Sequence, residues 1–154
     1  MLLDDNTFIL WDNVDLAPQI TIKNMLSENQ LKVQGIYEVT YVLTDSAGNK
    51  RNVNRYVKVI SSANLKVRAN GELMTSCDTT VLFDSNVDIT LEKSKRVGES
   101  FKIYYKEGIR KAGSMKKAKV SKNGKLTDLG KGFHTLYIVT QNKESYLTYL
   151  YISR

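Results

Sequence analysis

Residues 35–60 read GIYEVTYVLTDSAGNKRNVNRYVKVI, and the fold class follows from that stretch. Tyr37, Val39, Tyr41 and Leu43 fall on one side of an extended chain, while Glu38, Thr40 and Thr44 fall on the other. A period of two marks a strand with one buried face, because successive side chains point to opposite sides. Asp45-Ser46-Ala47-Gly48-Asn49 ends the run with residues suited to a tight turn. Val53, Val57 and Val59 then alternate back, so the segment is expected to close as a β-hairpin. Arg55 shares the parity of these valines, which predicts a bulge there or an arginine with a buried stem.

Upstream of the hairpin, Thr7 to Trp11 and Gln19 to Ile22 read as two shorter strands. Residues 23–30 fit either a loop or one helical turn. Near Ser61-Ser62-Ala63-Asn64 the periodicity lapses, and a domain boundary is placed there. Downstream, Asn70-Gly71 and Asn123-Gly124 each carry the pair that favours a two-residue hairpin turn, because both positions need positive φ. Val87 to Leu91 and Phe101 to Tyr105 alternate as strands. Residues 132–152, GFHTLYIVTQNKESYLTYLYI, read as strand, polar turn and strand. No amphipathic stretch of helical length is present, so the chain is all-β, divided as 1–62 and 63–154.

The hairpin sequence resembles the last two strands of bacterial immunoglobulin-like surface modules. Their pattern is Gly-x-Tyr-x-Val-x-Tyr-x-Val-x-Asp-x-Ala-Gly-Asn. Gly35, Tyr37, Val39, Tyr41, Asp45, Ala47, Gly48 and Asn49 occupy its places here, with Leu43 at a valine position. Residues 132–152 match it loosely, with His134 where tyrosine would stand. The resemblance implies two tandem immunoglobulin-like β-sandwiches, and residues 1–62 are short for a complete one, with an initial strand either lacking or borrowed. It also implies a non-catalytic spacer or adhesive part of a bacterial surface protein. The alternatives are a phage virion component, such as a capsid decoration or tail part, and a carbohydrate-binding module. The carbohydrate module would need a row of exposed aromatic rings.

The formal charge is +7, and it is unevenly placed. Residues 1–62 carry six basic and seven acidic side chains, and residues 63–154 carry seventeen and nine. The excess lies between Lys102 and Lys131, where Glu107 and Asp128 are the only acids. Lys102, Lys106, Arg110, Lys111, Lys116, Lys117, Lys119, Lys122 and Lys125 are therefore the candidate contacts for an anionic surface polymer or an acidic protein patch. Assembly with other protein subunits is a further expectation. Tyr104 and Tyr105 inside this run raise the possibility of nucleic acid. That reading is disfavoured, because the charges are mostly Lys and no nucleic-acid module surrounds them.

Other chemistries are thinly supported. Cys77 is the sole cysteine and His134 the sole histidine, which excludes an intramolecular disulfide and a His-pair zinc site. A Cys77–His134 nucleophilic pair oriented by Asp78 or Asp84 lacks any local signature, and the expectation is that the chain is not an enzyme. Asp4, Asp5, Asp12, Asn13, Asp15 and Asp45 could gather as calcium ligands. No calcium-loop motif links them and all suit turns, so no cofactor is expected. Nor is there an apolar run near the roughly 20 residues needed to span a bilayer. MLLDDNTFIL is unlike a signal peptide. The localisation expected is the cell surface if a larger secreted chain contains this one, and a virion if 154 residues is the full reading frame.

Overall fold

The computed structural model describes residues 18–92 and 100–154. Strands dominate throughout, as the alternating patterns predict, and helical structure among the described residues is limited to short 3-10 turns. The strand expected at Thr7 to Trp11 lies outside the described residues. Two compact units emerge: Met1–Leu26 with Glu38–Val57, and Ser27–Tyr37 with Lys58–Arg154. A single cut at 62/63 does not describe this division, because Ser27–Tyr37 groups with the second unit and the divisions fall inside two strands.

β1 (Gln19–Lys23), β2 (Gly35–Thr44) and β3 (Lys50–Val59) form a three-stranded sheet with β2 in the middle, and β1, Glu38–Thr44 and Lys50–Val57 of it belong to the first unit. β1 runs antiparallel to β2, with Ile22 opposite Tyr41. The turn between β2 and β3 is closed by Asp45. Its carboxylate accepts hydrogen bonds from the Asn49 backbone N–H and side-chain amide, each at 2.7 Å. These two bonds, the side-chain one first, hold Asp45 below the ordinary carboxylate range. Val39 and Tyr41 are buried as the alternation predicts, but so are Thr40 and Val42 on the opposite parity. Arg55 is exposed as a residue, like its neighbours Asn54 and Tyr56. Among the described residues β3 is an edge strand, and its side chains are at most half-buried.

The second unit is a β-sandwich. One sheet has the order β10 (Lys125–Leu126), β7 (Val87–Glu92), β4 (Lys66–Ala69), β5 (Glu72–Met74). The other has the order β6 (Thr79–Leu82), β12 (Ser145–Ile152), β11 (Gly132–Thr140), β8 (Phe101–Glu107), β9 (Lys119–Ser121). All its pairings are antiparallel except that β6 runs parallel to β12. Val67, Ala69, Met74, Val87, Ile89 and Leu126 from the first sheet pack on Ile103, Leu136, Ile138, Leu150 and Ile152 from the second. Burial of such a shared apolar layer is the main stabilising term in a sandwich.

The two Asn-Gly pairs behave differently. Asn70 (φ 49°) and Gly71 (φ 87°) make the expected tight turn between the antiparallel β4 and β5. Asn123-Gly124 does not close a hairpin. β9 pairs with β8 and β10 pairs with β7, so this turn carries the chain from one sheet to the other. Gly124 alone takes positive φ there (78°), and its carbonyl accepts the Ile89 N–H at 2.8 Å. Asn123 instead uses its side-chain oxygen, which accepts from the Lys125 N–H and the Ser121 hydroxyl.

The last hairpin also required tertiary information. Tyr146, Thr148 and Leu150 lie on one face of β12, and Leu147 and Tyr149 lie on the other. The register pairs Ile138 with Tyr146 and Tyr137 with Leu147, which puts Tyr146, Thr148 and Leu150 toward the sandwich core. Leu147 and Tyr149 on the other face are fully buried too, against Cys77, Ile36, Ala112 and Tyr137. The cover on this outer face comes from the same unit, and Gln34 contributes to it directly. Its amide donates to Ser145 Oγ at 2.8 Å and accepts from the Leu147 N–H at 2.9 Å. β6 pairs with β12 only from Tyr149 onward, so Gln34 acts as a peptide-like partner where no strand is present.

Candidate functional site

The structure distributes the nine predicted basic residues over several places. Lys106, Arg110, Lys117 and Lys119 line one cleft of about 370 Å³ at the end of the sandwich. Lys102 and Lys122 line another, of about 410 Å³, beside Tyr104, Val139 and Gln141. Lys111 lies with its ammonium 4.4 Å from the centre of the Tyr37 ring, a cation–π contact. Lys116 is exposed on the 3-10 turn Ala112–Lys117, and Lys125 is exposed in the four-stranded sheet opposite Asp88. These charges do not form one continuous face.

The first cleft has a definite construction. One wall is the end of β8 with the start of β9, and Tyr105 and Lys119 stand directly opposite each other there. The other wall is the loop Thr127–Gly130, which is pinned at three points. The Asp128 N–H donates to Asn86 Oδ1 at 3.2 Å, and the Leu129 N–H donates to the Ser85 carbonyl at 3.0 Å. His134 holds the third point, 2.6 Å from the Gly130 carbonyl. A carbonyl only accepts, so Nε2 carries the proton in this bond. Asp128 takes positive φ (54°), a conformation tolerated by Asp and Asn better than by most residues. Arg110 is oriented from below: its N–H donates to Thr135 Oγ1 at 2.8 Å and its Nε to the Glu107 carbonyl at 3.1 Å.

Glu107 and Asp128 also line this cleft. Among the described residues, none of its cations comes within 4.0 Å of either carboxylate; the ion pairs found, Lys58–Asp78 and Arg68–Glu92, lie elsewhere. Both signs of charge are thus presented to solvent rather than neutralised. In the sequence Glu107 and Asp128 read only as the two acids within the basic run. The available signal was a Thr-Asp-x-Gly loop directly before a β-strand, with a lone histidine four residues after the Gly.

Cys77 and His134 are kept apart. Cys77 packs with Leu147 and Tyr149 on the outer face of the five-stranded sheet, whereas His134 pairs in register with Leu150 on the core-facing side. The Cys77 thiol is 3.2 Å from the Val59 carbonyl, and burial pushes its pKa up, so it stays protonated at neutral pH. Tyr149 behaves similarly: burial first, then the neighbouring Cys77, raises its hydroxyl, which donates to the Arg110 carbonyl at 3.1 Å. Asp4, Asp5, Asp12, Asn13 and Asp15 lie outside the described residues, and Asp45 is engaged in its turn. Among the described residues no three His, Cys, Asp or Glu side chains gather where a metal ion could bind. No described helix is long and apolar enough to cross a membrane. Comparisons with protein-family models, curated proteins and solved structures find no match to this chain.

Proposed function

We propose that this chain is a non-catalytic interaction protein, built of immunoglobulin-like modules, that attaches to an anionic surface polymer as a spacer or adhesive part of a bacterial surface protein. The observation that carries the reading is the set of Lys106, Arg110, Lys117 and Lys119 around one cleft without internal ion pairing. Unpaired like charges raise the local potential, which speeds encounter with an anionic partner and orients it. The sheet order supports the immunoglobulin-like part. β12-β11-β8-β9 corresponds to the G-F-C-C′ order of such sandwiches, and the β10–β7 pair corresponds to E–B. The separation of Cys77 from His134 argues against that one nucleophilic pair.

The test is attachment of the chain to a teichoic-acid-bearing cell-wall preparation across a salt series. Replacing Lys106, Lys117 and Lys119 with Gln is expected to weaken attachment at low salt. It is also expected to flatten the salt dependence, since screening acts over a Debye length of about 8 Å at physiological ionic strength. The three side chains are exposed, so the melting temperature is expected to stay close to that of the unaltered chain. Attachment equal to that of the unaltered chain at every salt concentration would refute the reading.

A further inference from the structure

The cleft between β8 and the loop Thr127–Gly130 has more chemistry than attraction of a polyanion needs. A surface meant only to draw in negative charge gains nothing from carboxylates, yet Glu107 and Asp128 stand in the same cleft as Lys106, Arg110, Lys117 and Lys119. Neither carboxylate is consumed by those cations, since no pair within 4.0 Å forms there among the described residues. Carboxylates accept hydrogen bonds from hydroxyl groups, and ammonium and guanidinium groups donate to an acid. A small polyhydroxylated acid satisfies both sets, with hydroxyls donating to the carboxylates and one anionic group accepting from the cations. The cleft volume of about 370 Å³ falls in the range of roughly 300–1,000 Å³ usual for small-ligand sites.

Two further features fit a site rather than a solvated edge. The loop that carries Asp128 is fixed by Asn86, Ser85 and the buried His134, so its carboxylate is presented on a rigid support. Arg110 is likewise held through its Nε and backbone N–H, which leaves its terminal guanidinium nitrogens directed by a fixed stem.

From this we infer that the cleft binds an acidic sugar residue. Its anionic group is held by Lys119 and the neighbouring cations, and its hydroxyls are held by Glu107 and Asp128. The inference rests on the attachment reading above and specifies the ligand class of that same site. His134 is a positioning residue here, setting the loop rather than touching ligand.

The experiment is amide NMR titration of the full chain with three probes: a glucuronic-acid tetrasaccharide, the same tetrasaccharide with its carboxyls reduced to alcohols, and inorganic phosphate. The acidic tetrasaccharide is expected to shift the amides of Lys106, Lys119, Asp128 and Gly130. The other two probes are expected to bind at least tenfold more weakly. Lys119→Gln should weaken binding by about threefold, the scale of an exposed charge contact. Glu107→Gln and Asp128→Asn should weaken it as well, and asparagine keeps the positive φ of the loop accessible.

The sign of the carboxylate variants is decisive, because a simple cationic patch binds more tightly when an acid is removed. Tighter binding by both carboxylate variants, or phosphate binding as well as the tetrasaccharide, would overturn the sugar assignment while leaving attachment by charge intact. Absence of shifts in the cleft with all three probes would overturn it too. Loss of the attachment reading itself shows separately, as unchanged cell-wall binding by the triple Gln variant.

Discussion

Substituting Gly124 with Ala tests the sheet-to-sheet turn, and Gly71→Ala is its internal control. Both glycines take positive φ, 78° and 87°, and both sit in the second unit. An alanine at either site adopts the left-handed region at a cost of about 1–2 kcal/mol. At Gly71 nothing lies within 4 Å of the added Cβ, so strain is the whole effect. At Gly124 the added Cβ would lie 2.5 Å from the Ile89 carbonyl oxygen and 3.4 Å from Phe101 Cζ. The near atom is strand backbone and cannot rotate away. β7 must shift against β10, straining the 2.8 Å bond from the Ile89 N–H to the Gly124 carbonyl, which contributes about 0.5–1.5 kcal/mol. Ile89 and Leu126 are 2% and 1% exposed, so the shift also disturbs close packing, at about 1–3 kcal/mol. Gly124→Ala is therefore expected to cost about 2 kcal/mol or more beyond Gly71→Ala. Urea denaturation followed by far-ultraviolet circular dichroism, with protection of the Leu136 and Ile138 amides in hydrogen exchange, measures both. Equal losses for the two variants would refute the close approach at Gly124 and with it the turn geometry.

Three further outcomes follow from the same structure. Gln34→Ala leaves the Leu147 N–H buried without its acceptor and is expected to cost about 1–3 kcal/mol, read as faster exchange of the Leu147 amide; unchanged exchange would refute the peptide-like role of Gln34. Val39→Ala removes two methyl groups from a side chain that is 1% exposed and should cost about 1–3 kcal/mol, with an unchanged melting curve counting against the burial of β2. Asp45 has a pKa below its ordinary 3.8, so its contribution is complete above that value and is lost as pH falls through the lowered one. The Gly48 and Asn49 amide resonances should titrate with a midpoint below 3.8, and a midpoint at or above 3.8 would contradict the turn hydrogen bonds.

The functional reading depends on charge arrangement more than on charge amount. Ten basic residues between Lys102 and Lys131 suggest one broad cationic face. The fold instead sends Lys125 to the opposite sheet, folds Lys111 against Tyr37, and leaves Lys102 and Lys122 at a separate hollow. What remains is a smaller group around a pinned loop, where two carboxylates acquire a use. Recognition by such a site depends on the positions of donors and acceptors, whereas a broad patch depends mainly on ionic strength.

By itself the sequence determined the strands, because side-chain alternation and turn chemistry are local. The hairpin of β2 and β3, the Asn70-Gly71 turn, and the strands at Val87–Glu92 and Phe101–Glu107 all follow from patterns a few residues long. Tertiary structure alone decided which strands pair and what covers them. Asn123-Gly124 carries a hairpin signal, yet β9 and β10 find longer partners in different sheets, and the turn becomes a crossing between layers. Both faces of β12 are apolar, which is compatible with a foreign partner or a central position. The chain itself supplies the cover, through Gln34 and Ile36, more than a hundred positions away in sequence. The meeting of Glu107, Lys119 and Asp128 likewise depends on the register of β8 with β9 and on a loop anchored to Ser85 and Asn86. Local periodicity carries no information about contacts of that separation, since they form only when two sheets close on a common core.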